Sequence, residues 1–266
     1  MSKTIGVMGC GWLGLPLAKS LVASNYIVKG TTTTASKLKI LRKQGIDGYS
    51  ISFNQDRIDG DIQGFLSHID CLVINIPPGL RKKNAGNYVL KIELLLKAIQ
   101  AAGIQNVIFV SSTSVYGNIE GTITEKTNPN PVTESGKQLV LSEKLFQESK
   151  NLTTSVIRFG GLIGEDRHPI TYLAGKKGLK NGEELINLIH LDDCIQIIKT
   201  TIKNNYCNTI INGVYPYHPT KKEYYTAEAL KRELPVPEFE LSDKKTIKKS
   251  ILNTNLPNKI NFRSPV

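Results

Sequence analysis

Short apolar runs alternate with stretches of helical periodicity through the first two-thirds of the chain. The apolar runs predict strands near Thr4–Met8, Tyr26–Thr31, Tyr49–Phe53, Cys71–Ile76, Asn106–Ser111 and Thr154–Phe159. The stretches between them predict helices at Leu13–Ala23, Ser36–Gln44, Tyr88–Ala102 and Ser135–Lys150. Runs such as LVINI and VIFVS are apolar throughout, as in strands buried on both faces. The alternation therefore predicts an α/β protein with a Rossmann-type, doubly wound parallel sheet.

The alternation of predicted strands and helices becomes less regular after Gly160, where predicted elements are fewer and loops are longer. Two helices are predicted at Asp192–Lys203 and Lys222–Leu234, with a strand near Thr209–Gly213. We expect residues 1–160 to form a dinucleotide-binding domain and residues 161–266 a small mixed lobe over the carboxyl edge of the sheet, where open α/β sheets bind ligands. The late strand, about 209–213, is a candidate to return to the main sheet.

The net charge of +11 raises the question of an acidic partner. The lysines are scattered, with clusters only at 81–83, 221–222 and 244–249, and none of these clusters is interleaved with stacking aromatic residues. We therefore predict a solvated basic surface and no nucleic-acid partner. Such a surface would also steer a small anionic molecule towards a cleft.

The cysteines and the apolar runs bear on the cellular setting. Cys10, Cys71, Cys194 and Cys207 show no CxxC spacing, which favours free thiols and a reducing, cytoplasmic environment. Neither an apolar leader nor a run near the ~20 residues of a membrane span is found, so we expect no membrane association. No histidine or carboxylate cluster has metal-ligand spacing, and we predict no metal.

Three glycines follow the first predicted strand and open the first predicted helix, spaced Gly9-x-Gly11-x-x-Gly14. In this context Gly9 would form the tight turn, Gly11 would let the backbone approach a pyrophosphate, and Gly14 would let helix and strand pack closely. Trp12 and Leu13, within the turn, are assigned to the same cofactor site. The alternative is a tight βα turn with no ligand.

The second strand bears on the choice of cofactor. NAD sites usually place a carboxylate about 20 residues past the glycines, but no Asp or Glu occurs before Asp47. Thr32, Thr33 and Lys37 stand there instead and would suit a 2′-phosphate. NADP is therefore predicted, with NAD as the alternative. The threonines could also serve only as caps of the next helix.

Residues 107–117, VIFVSSTSVYG, form a predicted strand that ends in hydroxyl side chains and a Tyr-Gly turn. With RFGGLIG at 158–164 and IHLDD at 189–193, this stretch resembles the extended short-chain dehydrogenase/reductase superfamily, the NAD(P)-dependent epimerases and dehydratases. The resemblance implies that Ser112 is the catalytic hydroxyl and that Ser111, Gly160 and Gly161 lie beside the nicotinamide.

The loop Pro77-Pro78-Gly79 follows the fourth predicted strand. A loop at the carboxyl end of a parallel strand faces the ligand crevice, so Pro77 and Pro78 are predicted to line the cofactor groove. A rigid surface turn is the alternative.

The chain departs from the superfamily at the catalytic Tyr-x-x-x-Lys pair. One register places Ser135 at the tyrosine position and Leu139 at the lysine position. An alternative register places Lys137 at the lysine position but leaves Thr133 in place of the tyrosine. Either way no phenol is available, and a lone hydroxyl is a poor proton donor at neutral pH. The resemblance is therefore to an atypical member.

Two functions remain open at this stage. The first is an NAD(P)-dependent oxidoreductase or epimerase/dehydratase-like enzyme acting on a small molecule that is anionic or similar to a sugar nucleotide. The second is a non-catalytic NADP(H) sensor. Candidate replacement acids, each with a structural role as the alternative, are Tyr116, His190, Tyr172 and His168. The resemblance also suggests a homodimer formed through the helices at Tyr88–Ala102 and Ser135–Lys150.

Overall fold

The computed structural model describes residues 2–54, 56–79, 86–205, 208–240, 248–256 and 260–263. Its strands are β1 (Thr4–Met8), β2 (Ile27–Thr32), β3 (Asp47–Ser50), β4 (Ser52–Phe53), β5 (Ile58–Asp59), β6 (Cys71–Ile74), β7 (Asn106–Ser112), β8 (Gly121–Ile123), β9 (Thr153–Phe159), β10 (Gly161–Ile163), β11 (Leu188–His190), β12 (Ile210–Gly213) and β13 (Lys249–Ile251). Its α-helices are α1 (Gly14–Val22), α2 (Leu38–Lys43), α3 (Ile62–Leu66), α4 (Tyr88–Ala101), α5 (Glu134–Gln147), α6 (Ile170–Leu173), α7 (Leu191–Lys203) and α8 (Lys221–Lys231).

The main sheet has seven strands in the order β12-β9-β7-β6-β1-β2-β3, and every neighbouring pair is parallel. This sheet confirms the predicted Rossmann-type α/β class. The chain order reverses between β1 and β6, which lie side by side although β2 and β3 come between them in sequence. Open α/β sheets bind ligands beyond the carboxyl ends of the strands at such a reversal.

Apolar side chains cover both faces of this sheet. On one face Phe109 of β7 packs with Phe146 of α5 and Leu95 of α4 in a buried cluster. On the other, Leu17 of α1 and Ile197 of α7 belong to a second buried cluster. The continuous apolar runs of the inner strands follow from this burial on two sides.

The predicted strand Tyr49–Phe53 is wrong in extent. The parallel strand β3 ends at Ser50, and Ser52 instead pairs antiparallel with Asp59 in the β4–β5 hairpin. The predicted helix Ser36–Gln44 also begins later, because a 3₁₀ turn at Ala35–Lys37 precedes α2. Several elements were not predicted: α3, α6, β5, β8, β10, β11 and β13, each of two to five residues.

The segment after α7 returns to the sheet. Strand β12 pairs with β9 at the sheet edge, and β13 pairs with β8. The backbone N–H and the hydroxyl of Thr254 both donate to the Glu125 carboxylate. These contacts join the carboxyl-terminal part of the described chain to the Rossmann domain; the boundary at residue 160 stays a prediction.

Other sequence predictions concern surfaces and thiols. Cys10 and Cys194 are buried free thiols, and Cys71 is half-buried. Cys207 lies outside the described residues, as do residues 81–83 and residues 244–247 of the basic clusters. Within the described ranges, every helix is too short or too polar to cross a lipid bilayer. Helices α4 and α5 pack against each other, and a homodimer through them stays a prediction.

Candidate active site

A cleft lies beyond the carboxyl ends of β1, β6, β7 and β9. Its larger part, a cavity of about 520 Å³, is lined by Gly11, Trp12, Leu13, Asn75, Ile76, Pro77, Pro78, Val110, Ser111, Ser112, Leu139, Phe159, Gly160, Gly161, Leu162 and Arg167. A recess of about 220 Å³ is lined by Gly9, Cys10, Gly11, Thr31, Thr32, Thr33, Thr34, Lys37, Ile51, Phe53, Asn75, Ile76 and Pro77. The two share Gly11 and residues 75–77, so they form one cleft.

The three glycines of the turn after β1 have two different roles: two shape the turn, and one leaves space in the cleft. Gly9 has a φ of +100°, and a Cβ on Gly14 would overlap the Gly9 carbonyl oxygen, so both positions need glycine for the turn itself. At Gly11 a Cβ would meet no protein atom within 4 Å. Its missing side chain therefore leaves open space in the cleft.

Helix α1 begins at this turn without a side-chain cap. The backbone N–H groups of Trp12 and Leu13 have no hydrogen-bond acceptor among the described residues. Free N–H groups at the positive end of a nine-residue helix bind anions. The turn thus combines hydrogen-bond donors with open space for an anion at Gly11.

Asn75, which follows β6, links the end of that strand to the end of β1 at the reversal of strand order. Its side chain Nδ2 donates to the Gly9 carbonyl at 3.1 Å, and its backbone N–H donates to the Met8 carbonyl at 2.9 Å. Sequence reasoning missed Asn75. The available signal was a lone polar residue inside the apolar run LVINI, at the reversal of strand order.

Threonines at the end of β2 form the polar wall of the recess. Thr31 Oγ1 accepts the Gly9 N–H at 2.9 Å, and Thr32 Oγ1 accepts the Thr34 N–H at 3.2 Å. Thr33 and Lys37 are exposed at the mouth. None of the described residues that line the recess is acidic. Ile51 and Phe53, missed because they fell inside the predicted third strand, give it an apolar wall.

The hydroxyls at the end of β7 differ in what they can still bind. Ser111 Oγ donates to the buried Glu143 carboxylate at 2.5 Å, so its hydroxyl proton is already used in this hydrogen bond and is not available to a ligand. Ser112 Oγ accepts the Ser114 N–H at 3.1 Å. No described residue accepts the Ser112 hydroxyl proton, which can therefore donate into the cavity.

A buried charged network lies under these hydroxyls. Arg158 donates through Nε and Nη2 to Glu143, at 3.1 and 2.6 Å, and through Nη1 to the Tyr116 hydroxyl at 2.9 Å. Tyr116 donates in turn to Asn212 Oδ1 at 2.8 Å. Burial raises the pKa of Tyr116, although the Arg158 charge opposes that shift. The phenol is thus a structural group and not an acid or base for neutral pH.

Helix α5 carries the residues that the two predicted registers place at the tyrosine and lysine positions of the superfamily. Leu139 lines the cavity at the lysine position of the first register. In the second register Thr133 is occupied as the cap of α5, since its Oγ1 accepts the Gly136 N–H at 3.1 Å. Neither Ser135 nor Lys137 lines the cavity. Among its described lining residues, Arg167 is the one ionisable side chain.

The other replacement acids lie outside this cavity. His168 is buried against the Tyr224 hydroxyl at 2.7 Å, and burial lowers its pKa to about 4. His190 caps α7, since its Nδ1 accepts the Asp192 N–H at 3.2 Å, and burial lowers its pKa also. Tyr172 is 76% exposed. None of these three lines the cavity.

The cofactor residues predicted from sequence are divided between the two parts of the cleft. Pro77, Pro78, Ser111, Ser112, Gly160 and Gly161 line the cavity with Gly11, Trp12 and Leu13, whereas Gly9, Thr32, Thr33 and Lys37 line the recess. Gly14 lines neither part of the cleft and packs against the Gly9 carbonyl of the turn. A Cβ on Gly160 would overlap the Asn187 carbonyl oxygen, so this loop also needs glycine for its own packing.

A seven-stranded parallel sheet with a glycine turn at its reversal defines a Rossmann-type dinucleotide-binding fold. No family model matches the chain. Protein YeeZ of Escherichia coli strain K12 is 35% identical over 240 residues, covering 89% of this chain and 86% of its own. The chain belongs to the extended short-chain dehydrogenase/reductase superfamily and, within it, to the family that includes Protein YeeZ.

More distant proteins agree with this assignment. The epimerase family protein SDR39U1 homolog, chloroplastic, of Arabidopsis thaliana is 24% identical over 264 residues, which is 90% of this chain and 74% of its own. The UDP-glucuronic acid 4-epimerase of Bacillus cereus, solved in complex with NAD, superposes with a TM-score of 0.79 at 17% identity, covering 98% of this chain and 93% of that one. The structural likeness shows the shared fold.

Proposed function

We propose that the chain binds a nicotinamide dinucleotide, NADP(H) in preference to NAD(H), and acts as an epimerase-like oxidoreductase on a small-molecule substrate. The observation that carries this proposal is the continuous cleft from the threonine recess to Ser112. The cleft passes the open space at Gly11, where the backbone N–H groups of Trp12 and Leu13 could bind an anion.

The residues present fit such a dinucleotide from end to end. Thr33 and Lys37 would hold the adenosine phosphate, the Trp12 and Leu13 N–H groups the pyrophosphate, and the loop at Gly160 would border the nicotinamide. When bound, the nicotinamide would supply or accept a hydride. Residues 161–266 would complete the substrate side of the cavity as a lobe, beginning with Gly161 and Leu162.

Ser112 would orient and polarise a substrate oxygen. Because its Oγ accepts the Ser114 N–H, its O–H is a stronger donor to a carbonyl or alkoxide oxygen. A donor placed where negative charge develops stabilises the transition state. With no acid beside it among the described residues, the proton itself would come from water.

Replacing Ser112 tests the catalytic part of the proposal. NADPH oxidation with a panel of aldehydes, ketones and nucleotide sugars should show turnover in the wild-type protein, and Ser112→Ala should lower kcat on the order of 10²-fold. Ser114→Ala is the matched control, since Ser114 acts through its backbone N–H, which alanine retains. Equal turnover in Ser112→Ala would refute the role given to Ser112.

A non-catalytic NADP(H) sensor is the second candidate. It is favoured by the apolar Leu139 at the position of the family's lysine and by the lack of a phenol among the described cavity-lining residues. The same assay decides between the two. Tight NADPH binding without turnover on any compound of the panel would favour the sensor.

Cofactor preference gives a separate prediction. NADPH should bind more tightly than NADH, because a charge-assisted contact to a phosphate contributes about 1.5–3 kcal/mol. Lys37→Ala should weaken NADPH about tenfold and leave NADH unchanged in calorimetric titrations. Lys39→Ala is the control, since Lys39 does not line the recess. Equal loss for both dinucleotides would place Lys37 elsewhere in the site.

A further inference from the structure

Arg167 is the one charged side chain among the described residues that line the cavity, and it follows strand β10 on the substrate side. Its guanidinium carbon lies 4.9 Å from the centre of the Trp12 ring. No sequence motif marks this residue. A cation in a cavity whose other described lining residues are uncharged would attract an anion.

No carboxylate among the described residues lies within ion-pair distance of Arg167. Its two acidic neighbours in sequence are engaged with other groups. Asp166 Oδ1 accepts the Trp12 Nε1–H at 2.8 Å, and Glu165 lies 3.8 Å from the Arg263 guanidinium. The Arg167 donors therefore remain available.

The backbone and the Trp12 ring together fix the position of Arg167. Gly164 and Arg167 exchange two backbone hydrogen bonds, at 2.8 and 3.2 Å. The Trp12 ring is held by Asp166 beneath the guanidinium and packs close to Gly164, where a Cβ would overlap it. A planar guanidinium stacked on an aromatic face loses little freedom when it binds an anion in two-point contact.

We propose that Arg167 is a specificity residue that binds an anionic group, a phosphate or a carboxylate, of the substrate. The proposal rests on the proposed function, because the same cavity must hold the substrate. The pyrophosphate of the cofactor already has the Trp12 and Leu13 N–H groups at the start of α1. That division assigns Arg167 to the second ligand.

The test titrates three small probes into the NADPH-saturated protein: glucose 1-phosphate, glucuronate and neutral glucose. Calorimetry gives the affinity, and the fluorescence of Trp12, the single tryptophan of the chain, reports binding beside Arg167. At least one anionic probe should bind more tightly than glucose, and Arg167→Gln should weaken it about 10- to 100-fold. The stronger of the two anions identifies phosphate or carboxylate as the recognised group.

Three controls separate the outcomes. Arg57→Gln removes an exposed arginine that lines neither part of the cleft and should change nothing. NADPH affinity in Arg167→Gln should stay within about threefold of the wild type. Titrations without NADPH keep the test independent of the cofactor, so absent NADPH binding would refute the proposed function alone.

Any of three results would overturn the assignment of Arg167. The first is unchanged anion affinity in Arg167→Gln, and the second is no preference for the anions over glucose. The third is an equal loss of NADPH affinity, which would assign Arg167 to the cofactor pyrophosphate. Because Arg167 is exposed and has no ion-pair partner among the described residues, a melting curve should confirm that the variant folds.

Discussion

A Gly11→Ala variant should fold as the wild-type protein does and lose most of its affinity for NADP(H). The added Cβ meets no protein atom within 4 Å, so the folded state bears no strain from it. It would instead occupy the space through which a pyrophosphate approaches the Trp12 and Leu13 N–H groups. We expect the dissociation constant for NADPH to rise on the order of 100-fold, about 2.7 kcal/mol, in calorimetric titrations.

Gly14→Ala is the contrasting variant. Its Cβ would overlap the Gly9 carbonyl oxygen, which is backbone and cannot move aside, so this variant should be destabilised with or without cofactor. A thermal melt of both variants without ligand separates the two effects. A melting temperature for Gly11→Ala as low as that of Gly14→Ala would show that Gly11 serves the fold and not a ligand.

The glycine turn shows how much of the site local sequence can predict. The spacing of Gly9, Gly11 and Gly14, between an apolar run and an amphipathic helix, encodes a turn whose geometry is fixed within a few residues. The same holds for the threonines after β2 and the hydroxyls after β7. In parallel α/β sheets, the end of a strand is already a position in the ligand crevice.

Residues brought in by long-range packing could not be found in this way. Phe53 lines the recess because β4 leaves the main sheet and pairs with β5, a two-residue pairing with no periodicity to read. Arg167 reaches the cavity through a backbone bridge to Gly164 and stacking on Trp12, which is distant in sequence. Such contacts depend on the tertiary fold and leave no local pattern.

Helix α5 contributes to the fold and to the cavity through different residues. The network of Ser111, Glu143 and Arg158 holds β7, α5 and β9 together beneath the cavity. On the same helix Leu139 lines the cavity, whereas Ser135 does not. The inner face of α5 therefore contributes to the stability of the fold, while Leu139 gives the cavity an apolar wall.

A Glu143→Ala variant should be among the least stable single substitutions of the chain. Both Glu143 and Arg158 are almost fully buried, with side-chain exposures of 2% and 3%. Removing the carboxylate leaves the guanidinium charged and unpaired in the interior, and breaking a buried pair in this way costs about 3–5 kcal/mol. Ser111 loses its acceptor as well. Urea denaturation should show a loss of this size, and the melting temperature should fall by roughly 10 °C.

The physical cause is tested by removing both charges together. The double variant Glu143→Leu with Arg158→Met fills similar volume without a charge and should recover much of the lost stability, because replacement of a whole buried pair by apolar residues is often neutral. Tyr116 would then keep Asn212 as its hydrogen-bond partner. A double variant as unstable as Glu143→Ala would mean that packing geometry, and not the unpaired charge of Arg158, accounts for the loss.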